Sequence, residues 1–268
     1  DPLSQASLTN RLQLASRVPL LIAMDGENGL GMRLDRAISY PRQMCLGAIT
    51  DDSLIYRMGR EIAEQMKRLG VQLNFAPVAD INSNPENPVI HLRSFGEERE
   101  NVTGKVLAMM RGMQENGLLV CAKHFPGHGD TDTDSPITLP VIPHPLSRLD
   151  SIELYPFRKA IRKGLTGMMS AHLHVPALDN RPNRATSLSR QVVTDLLKEE
   201  MDFRGLVITD ALNMKGLTDF FEPGEREVEA VRAGNDILLM PTDVGRAITA
   251  IRRAVRKKEI SQDEINNS

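Results

Sequence analysis

The chain has 268 residues, 41% of them hydrophobic, with 33 Lys and Arg against 35 Asp and Glu and a formal net charge of -2 at pH 7. That length can bury a sizeable core and suits one α/β barrel domain over residues 1–268. The basic residues are spread along the chain with no positive stripe for a nucleic acid or an anionic membrane, so a neutral or weakly charged small ligand fits better. No run approaches the roughly 18 apolar residues of a membrane span, and no signal peptide is visible.

The chain opens at Asp1 without an initiator Met, which leaves room for a removed leader or earlier segment. Asp1 to Val18 is polar and weakly helical, and Pro19 to Met24 reads as a buried strand ending at Asp25, ahead of the polar loop Gly26 to Arg33. In this apolar context Cys45, like Cys121 further on, has no metal-like or redox spacing, and both are expected to be buried free thiols. From the capping residue Asp51, apolar Leu54, Ile55, Met58, Ile62, Met66 and Leu69 recur at helical spacing up to Gly70, which suits a helix terminus.

The unit then repeats. Val71 to Val78 is a strand reaching Asp80, followed by an Asn/Pro-rich loop carrying Arg93 and a helix from Glu97 to Glu115. Leu118 to Ala122 leads into Lys123 and His124, with a helix at Leu149 to Lys163. Thr166 to Ala171 ends at His172, with a helix at Ser189 to Glu200. Leu206 to Thr209 ends at Asp210, followed by a short helix and another around Arg226 to Ala233. Asp236 to Met240 ends at Pro241, with a helix at Val244 to Lys258. Alternating strands and helices imply parallel pairing with helical crossovers. Five of the six strands end on a polar or ionisable residue, namely Asp25, Asp80, Lys123 with His124, His172 and Asp210. A doubly wound sheet gathers ligands at one switch point, whereas a barrel rim collects them from every strand, so a TIM-type (β/α) barrel is expected.

Asp210, reached by solvent only at a barrel mouth, can serve as nucleophile, base or ligand, or as N-cap of a helix begun at Ala211. Asp25 has the same placement. Arg33 and Arg93 could fork onto ligand oxygens, although each alone reads as a surface ion pair. Lys123 and His124 are consecutive, so in regular strand geometry their side chains diverge; both reach a ligand only if the backbone breaks there, which Pro126 and the glycines allow. The alternative is a satisfied core histidine beside a surface lysine. His124 and His128 are four apart, but Pro126 and Gly127 rule against the helix that would make them a zinc pair. Asp130, Asp132 and Asp134 resemble the start of a calcium loop without its glycine or distal glutamate, and Asp130 and Asp132 read as solvated carboxylates. No metal is expected.

The segments Lys123 to Ser135 (Lys-His-Phe-Pro-Gly-His-Gly-Asp-Thr-Asp-Thr-Asp-Ser) and Ile208 to Met214 (Ile-Thr-Asp-Ala-Leu-Asn-Met) strongly resemble glycoside hydrolase family 3, in its bacterial β-N-acetylglucosaminidase branch. Asp25-Gly26-Glu27-Asn28-Gly29, Asn74 to Asp80 and Arg93-Ser94-Phe95-Gly96 resemble further motifs of that family, and the likeness runs from about Pro19 to Lys258. The resemblance implies a (β/α)8 barrel, here without its first strand and C-terminal end, and a retaining exo-β-N-acetylhexosaminidase acting on terminal β-linked N-acetylglucosamine, as in peptidoglycan fragments. It implies Asp210 as nucleophile and Asp25, Arg33, Arg93, Lys123, His124, His172 and Met214 as substrate contacts, with no metal or organic cofactor. The expected partner is a small-molecule glycan, not a nucleic acid or a membrane.

In that branch the acid/base is a histidine two residues after an aspartate that orients it. This chain reads Asp134-Ser135-Pro136, so Asp134 remains while Pro136 holds the histidine's place. General acid catalysis is typically worth about 10²- to 10⁴-fold, so the resemblance implies an impaired enzyme, with a non-catalytic or weakly active N-acetylglucosamine-binding barrel as the alternative. Asp134 alone, His144 or His128 are conceivable replacements. The Asp-Thr-Asp-Thr-Asp-Ser loop is closer to that of long, envelope-associated members than to short cytoplasmic ones, which favours the periplasm or cell envelope.

Overall fold

The computed structural model describes residues 1–131 and 139–267. Five parallel strands pair in sequence order among them: β1 (Ala23–Met24), β2 (Leu73–Asn74), β3 (Leu119–Phe125), β4 (Gly167–Ser170) and β5 (Leu206–Thr209). Ile237 extends the order past β5 as a single parallel bridge to Ile208. Each crossover carries at least one helix, as parallel pairing requires.

Alternation along the strands explains why the sheet curls. Val120, Ala122, Met168 and Val207 face a layer of helices and pack in one cluster with Ile62, Met66, Met109, Met113, Phe157 and Leu197. Their neighbours Leu73, Cys121, Met169 and Ile208, with Ala23, Leu119 and Ile237 beside them, form a second cluster on the opposite face. Both faces are buried, as in parallel sheets generally, and one cluster drawing on all six strand positions is the filled interior of a barrel-type sheet. The fold is therefore α/β with a curled parallel sheet, as expected.

Local signals account for the helices. Asp51 accepts from Ser53 N at 2.9 Å and caps the helix Asp52–Arg68, whose Ile55, Met58, Ile62 and Met66 are buried, and Gly70 follows at φ +73°. Glu98 caps Arg99–Gln114 through Asn101 N at 2.7 Å.

Several expectations differ in detail, among them the second strand, which ladders only at Leu73–Asn74 with a single bridge at Val78. The first strand ladders only at Ala23–Met24; Leu20 and Leu21 are exposed, and the Leu20 backbone N and O are satisfied by the Gln13 side chain instead of a neighbour. The sixth strand is one bridge long. The helix expected at Leu149 to Lys163 is two, Leu146–Ser151 and Tyr155–Arg162, because Pro156 suits a helix start and not an interior. Gln191–Glu200 is a π-helix. Cys121 is buried as expected, but Cys45 is exposed, and both are free.

Candidate active site

The strand ends converge. Asn74, the last residue of β2, accepts from Gly26 N at 2.9 Å and donates to Gly26 O at 3.2 Å, so a β2 side chain pins the turn that follows β1. This turn carries Asp25 and Glu27. Asp25 meets Arg33 at 2.7 Å and Lys123 Nζ at 2.8 Å, while Glu27 Oε1 lies 2.7 Å from Arg93 Nη2 and 2.8 Å from Lys123 Nζ. Lys123, expected either as a ligand contact or as a surface lysine, is buried between two carboxylates. Burial alone would push the Glu27 carboxyl up, but Lys123 and Arg93 outweigh it and hold the group at about 2. Arg33 does form the partly exposed ion pair that it suggested by itself; Arg93 pairs with a carboxylate 4% exposed.

Lys123 and His124 serve one cluster together. β3 and β4 shift register between Ala122 and Phe125, so the break from strand geometry lies where the sequence required it. His124 Nε2 is 3.2 Å from Arg93 Nη2 and its Nδ1 is 2.7 Å from Asp80 Oδ2. Asp80, fully buried at the end of the β2 segment, also accepts from His124 N at 3.2 Å and His128 N at 2.7 Å. Burial pushes its carboxyl up, and the His124 imidazole with the His128 amide more than offsets this and keeps it ionised. His128 is buried against Thr131 Oγ1 at 3.0 Å, and burial pushes its imidazole below the usual range.

Asp210 follows β5, its amide donating to Ser170 O at 2.9 Å and its Oδ1 accepting from Ala211 N at 2.7 Å. No helix begins at Ala211, since the next one is Lys215–Thr218, so Asp210 is not a helix cap. Burial raises its carboxyl, but His124, His172, the Ala211 amide and Lys123 hold it below the ordinary range, which makes it an ionised carboxylate at a strand end. His172 is buried, which pushes its imidazole below the usual range, with Nδ1 2.7 Å from Ser187 Oγ and Nε2 3.2 Å from Ala211 O. Met214 stands 45% exposed, and its amide closes a turn onto Ala211 O. Arg93 and Lys123 both act electrostatically on Asp210, so the cluster and this carboxylate share one locality.

The loop after β3 is fixed by two glycines. Gly127 sits at φ +132°, and a Cβ on Gly129 would lie 1.7 Å from Ile81 O, so the loop lies flat against the β2 segment. Asp130, read as a solvated carboxylate, is instead bound to His144 Nε2 and lies 3.6 Å from Arg148, which also pairs with the buried Glu153 at 3.1 Å. Asp130, His144 and Glu153 bring three potential metal-ligand atoms within 4.8 Å of one another, a grouping that the sequence did not suggest, and the Arg148 guanidinium supplies a cation there. Asp132, Asp134 and Pro136 lie outside the described residues.

Residues 2–268 match the glycosyl hydrolase family 3 N terminal domain. The chain belongs to glycosyl hydrolase family 3. Among other members, it is 37% identical over 291 residues to a β-hexosaminidase A of Pseudoalteromonas piscicida, covering 98% of this chain and 49% of that protein. It superposes with TM-score 0.94 and 39% identity on a family 3 β-N-acetylglucosaminidase from Paenibacillus sp. str. FPU-7, covering 99% of this chain and 52% of the other. A β-N-acetylglucosaminidase from Thermotoga maritima gives TM-score 0.86 and 28% identity over 98% of this chain and 56% of the other. The chain thus spans about half the length of these family 3 relatives.

Two residues of the cluster went unassigned in the sequence. Glu27 sits two positions after Asp25, a spacing that puts extended side chains on one side, and that spacing and its place in the Asp25 to Gly29 segment were its signals. Asp80 was visible as a strand-end carboxylate but had no stated task; three N–H donors converging on it are a tertiary fact that sequence spacing does not carry.

Proposed function

We propose that this chain is the catalytic barrel domain, spanning residues 1–268, of a retaining exo-β-N-acetylhexosaminidase that removes terminal β-linked N-acetylglucosamine, with peptidoglycan fragments as its source. The observation that carries the reading is Asp210, an ionised carboxylate at a strand end, beside a network of hydrogen-bonding cations and imidazoles suited to a polyhydroxylated ring. In this reading Asp210 attacks the anomeric carbon, the aglycone leaves with a proton, and water cleaves the glycosyl ester to return the carboxylate. Asp25, Arg33, Arg93, Lys123, His124, His172 and Met214 surround the sugar, and Asp134 assists proton transfer. The relatives named above support the substrate class.

The test is release of the aryl group from an aryl β-N-acetylglucosaminide. Asp210→Ala should lose at least about 10³-fold in kcat, and a slow fluorinated substrate should label Asp210 in the parent. Turnover surviving in Asp210→Ala would overturn the assignment.

Pro136 favours the second reading, a weakly active N-acetylglucosamine-binding barrel, because proline has no proton to give. An aryl leaving group needs little protonation, whereas the sugar leaving a natural disaccharide needs it fully. We therefore expect the aryl substrate to be cleaved and the disaccharide poorly, and Pro136→His to improve the disaccharide by about 10-fold or more and the aryl substrate less. Equal gains on both, or no gain on the disaccharide, would show that position 136 is not where the proton donor is missing.

A further inference from the structure

Glu27 is almost fully buried against two of the cations expected to bind sugar. Its Oε1 is shared by Arg93 Nη2 at 2.7 Å and Lys123 Nζ at 2.8 Å, and its Oε2 takes Arg93 Nε at 3.1 Å. Lys123 has a second carboxylate in Asp25 at 2.8 Å; Arg93 has none, its other contacts being Val89 O at 3.3 Å and His124 Nε2. Around the site the cations Arg33, Arg93 and Lys123 face the carboxylates Asp25, Glu27, Asp80 and Asp210. A guanidinium without a carboxylate is an anion receptor, because its fork matches planar and tetrahedral oxyanions.

We propose that Glu27 is a positioning and specificity residue: it aims Arg93 and Lys123 at the ligand while cancelling their charge, so the site accepts uncharged glycons and rejects anionic ones. Both cations remain donors to hydroxyl and carbonyl oxygens, but neither has net charge left to hold a sulfate, a phosphate or a carboxylate. The proposal rests on reading this cluster as the glycon pocket.

The experiment compares the parent with Glu27→Gln, Glu27→Asp and the double variant Glu27→Gln/Arg93→Met, which removes one charge of each sign. Inhibition of aryl β-N-acetylglucosaminide hydrolysis by sulfate is measured at constant ionic strength made up with chloride, alongside calorimetric titration of each protein with sulfate alone. Glu27→Gln should bind sulfate about tenfold or more tightly than the parent, competitively with the sugar, and raise KM more than it lowers kcat. Glu27→Asp keeps the charge but shortens the reach, so KM should rise with sulfate tolerance unchanged; the double variant should return to the parent's weak sulfate binding. Equal sulfate affinity in the parent and folded Glu27→Gln would overturn the proposal. Should Glu27→Gln fail to fold, sulfate sensitivity gained by Glu27→Asp would overturn it and tolerance retained with a raised KM would support it. The titration needs no turnover, so a parent that does not cleave the glycoside sinks the glycosidase reading alone.

Discussion

At the scale of single residues, burial and charge pull in opposite directions, and the geometry decides which wins. Glu27 is held at about 2 against 4.5 for the free group because two cations share its oxygens. Its folded-state value lies below the unfolded one, so the stability it contributes is present above about pH 4.5 and is lost as pH falls towards 2. A shift of that size corresponds to about 3 kcal/mol. Urea unfolding across this window should show a steeper acid loss in the parent than in Glu27→Gln, whose stability lacks that component at every pH. Identical slopes would mean that the two cations do not depress the Glu27 carboxyl. Asp25, Lys123 and Asp210 were legible as candidates because each ends an apolar run; Glu27 was hidden because its neighbours in space are 66 and 96 positions away in sequence.

At the scale of elements, the loop after β3 depends on close approach more than on side-chain packing. Gly129→Ala places a Cβ 1.7 Å from Ile81 O, a backbone atom that cannot move aside like a side chain. The variant should lose roughly 2–4 kcal/mol in chemical denaturation, or keep its fold and lose turnover because the loop lifts off the β2 segment. A variant with parental stability and turnover would show that this approach is not required. The long amphipathic helix Asp52–Arg68 was legible to the residue at its start because a capping aspartate, an apolar stripe and a terminal glycine agree. The region from Leu146 to Arg162 was less so, although Pro156, which suits a helix start, marks where its second helix begins.

At the scale of the whole molecule, the sheet is buried on both faces, and adjacent residues can test this. Met168 faces the helices and Met169 the inner cluster, yet both are nearly inaccessible. Met168→Ala and Met169→Ala should each cost about 2–5 kcal/mol in urea unfolding. A sheet with one wetted face would lose stability from only one of them. Strand order and parallel pairing followed from the alternation of apolar runs and helices, whereas strand lengths did not: Leu20 and Leu21 look like strand residues, but a glutamine side chain takes the backbone groups that a neighbouring strand would use. Among the described residues no helix is long and apolar enough to cross a membrane.

The position of His124 carries one more consequence. Asp80 Oδ2 holds Nδ1 at 2.7 Å and the Arg93 guanidinium faces Nε2 at 3.2 Å, so the plane of the ring is set from both sides. Such a ring is a relay between a buried carboxylate and a guanidinium. A change at Asp80 would therefore reach Arg93 through the ring between them.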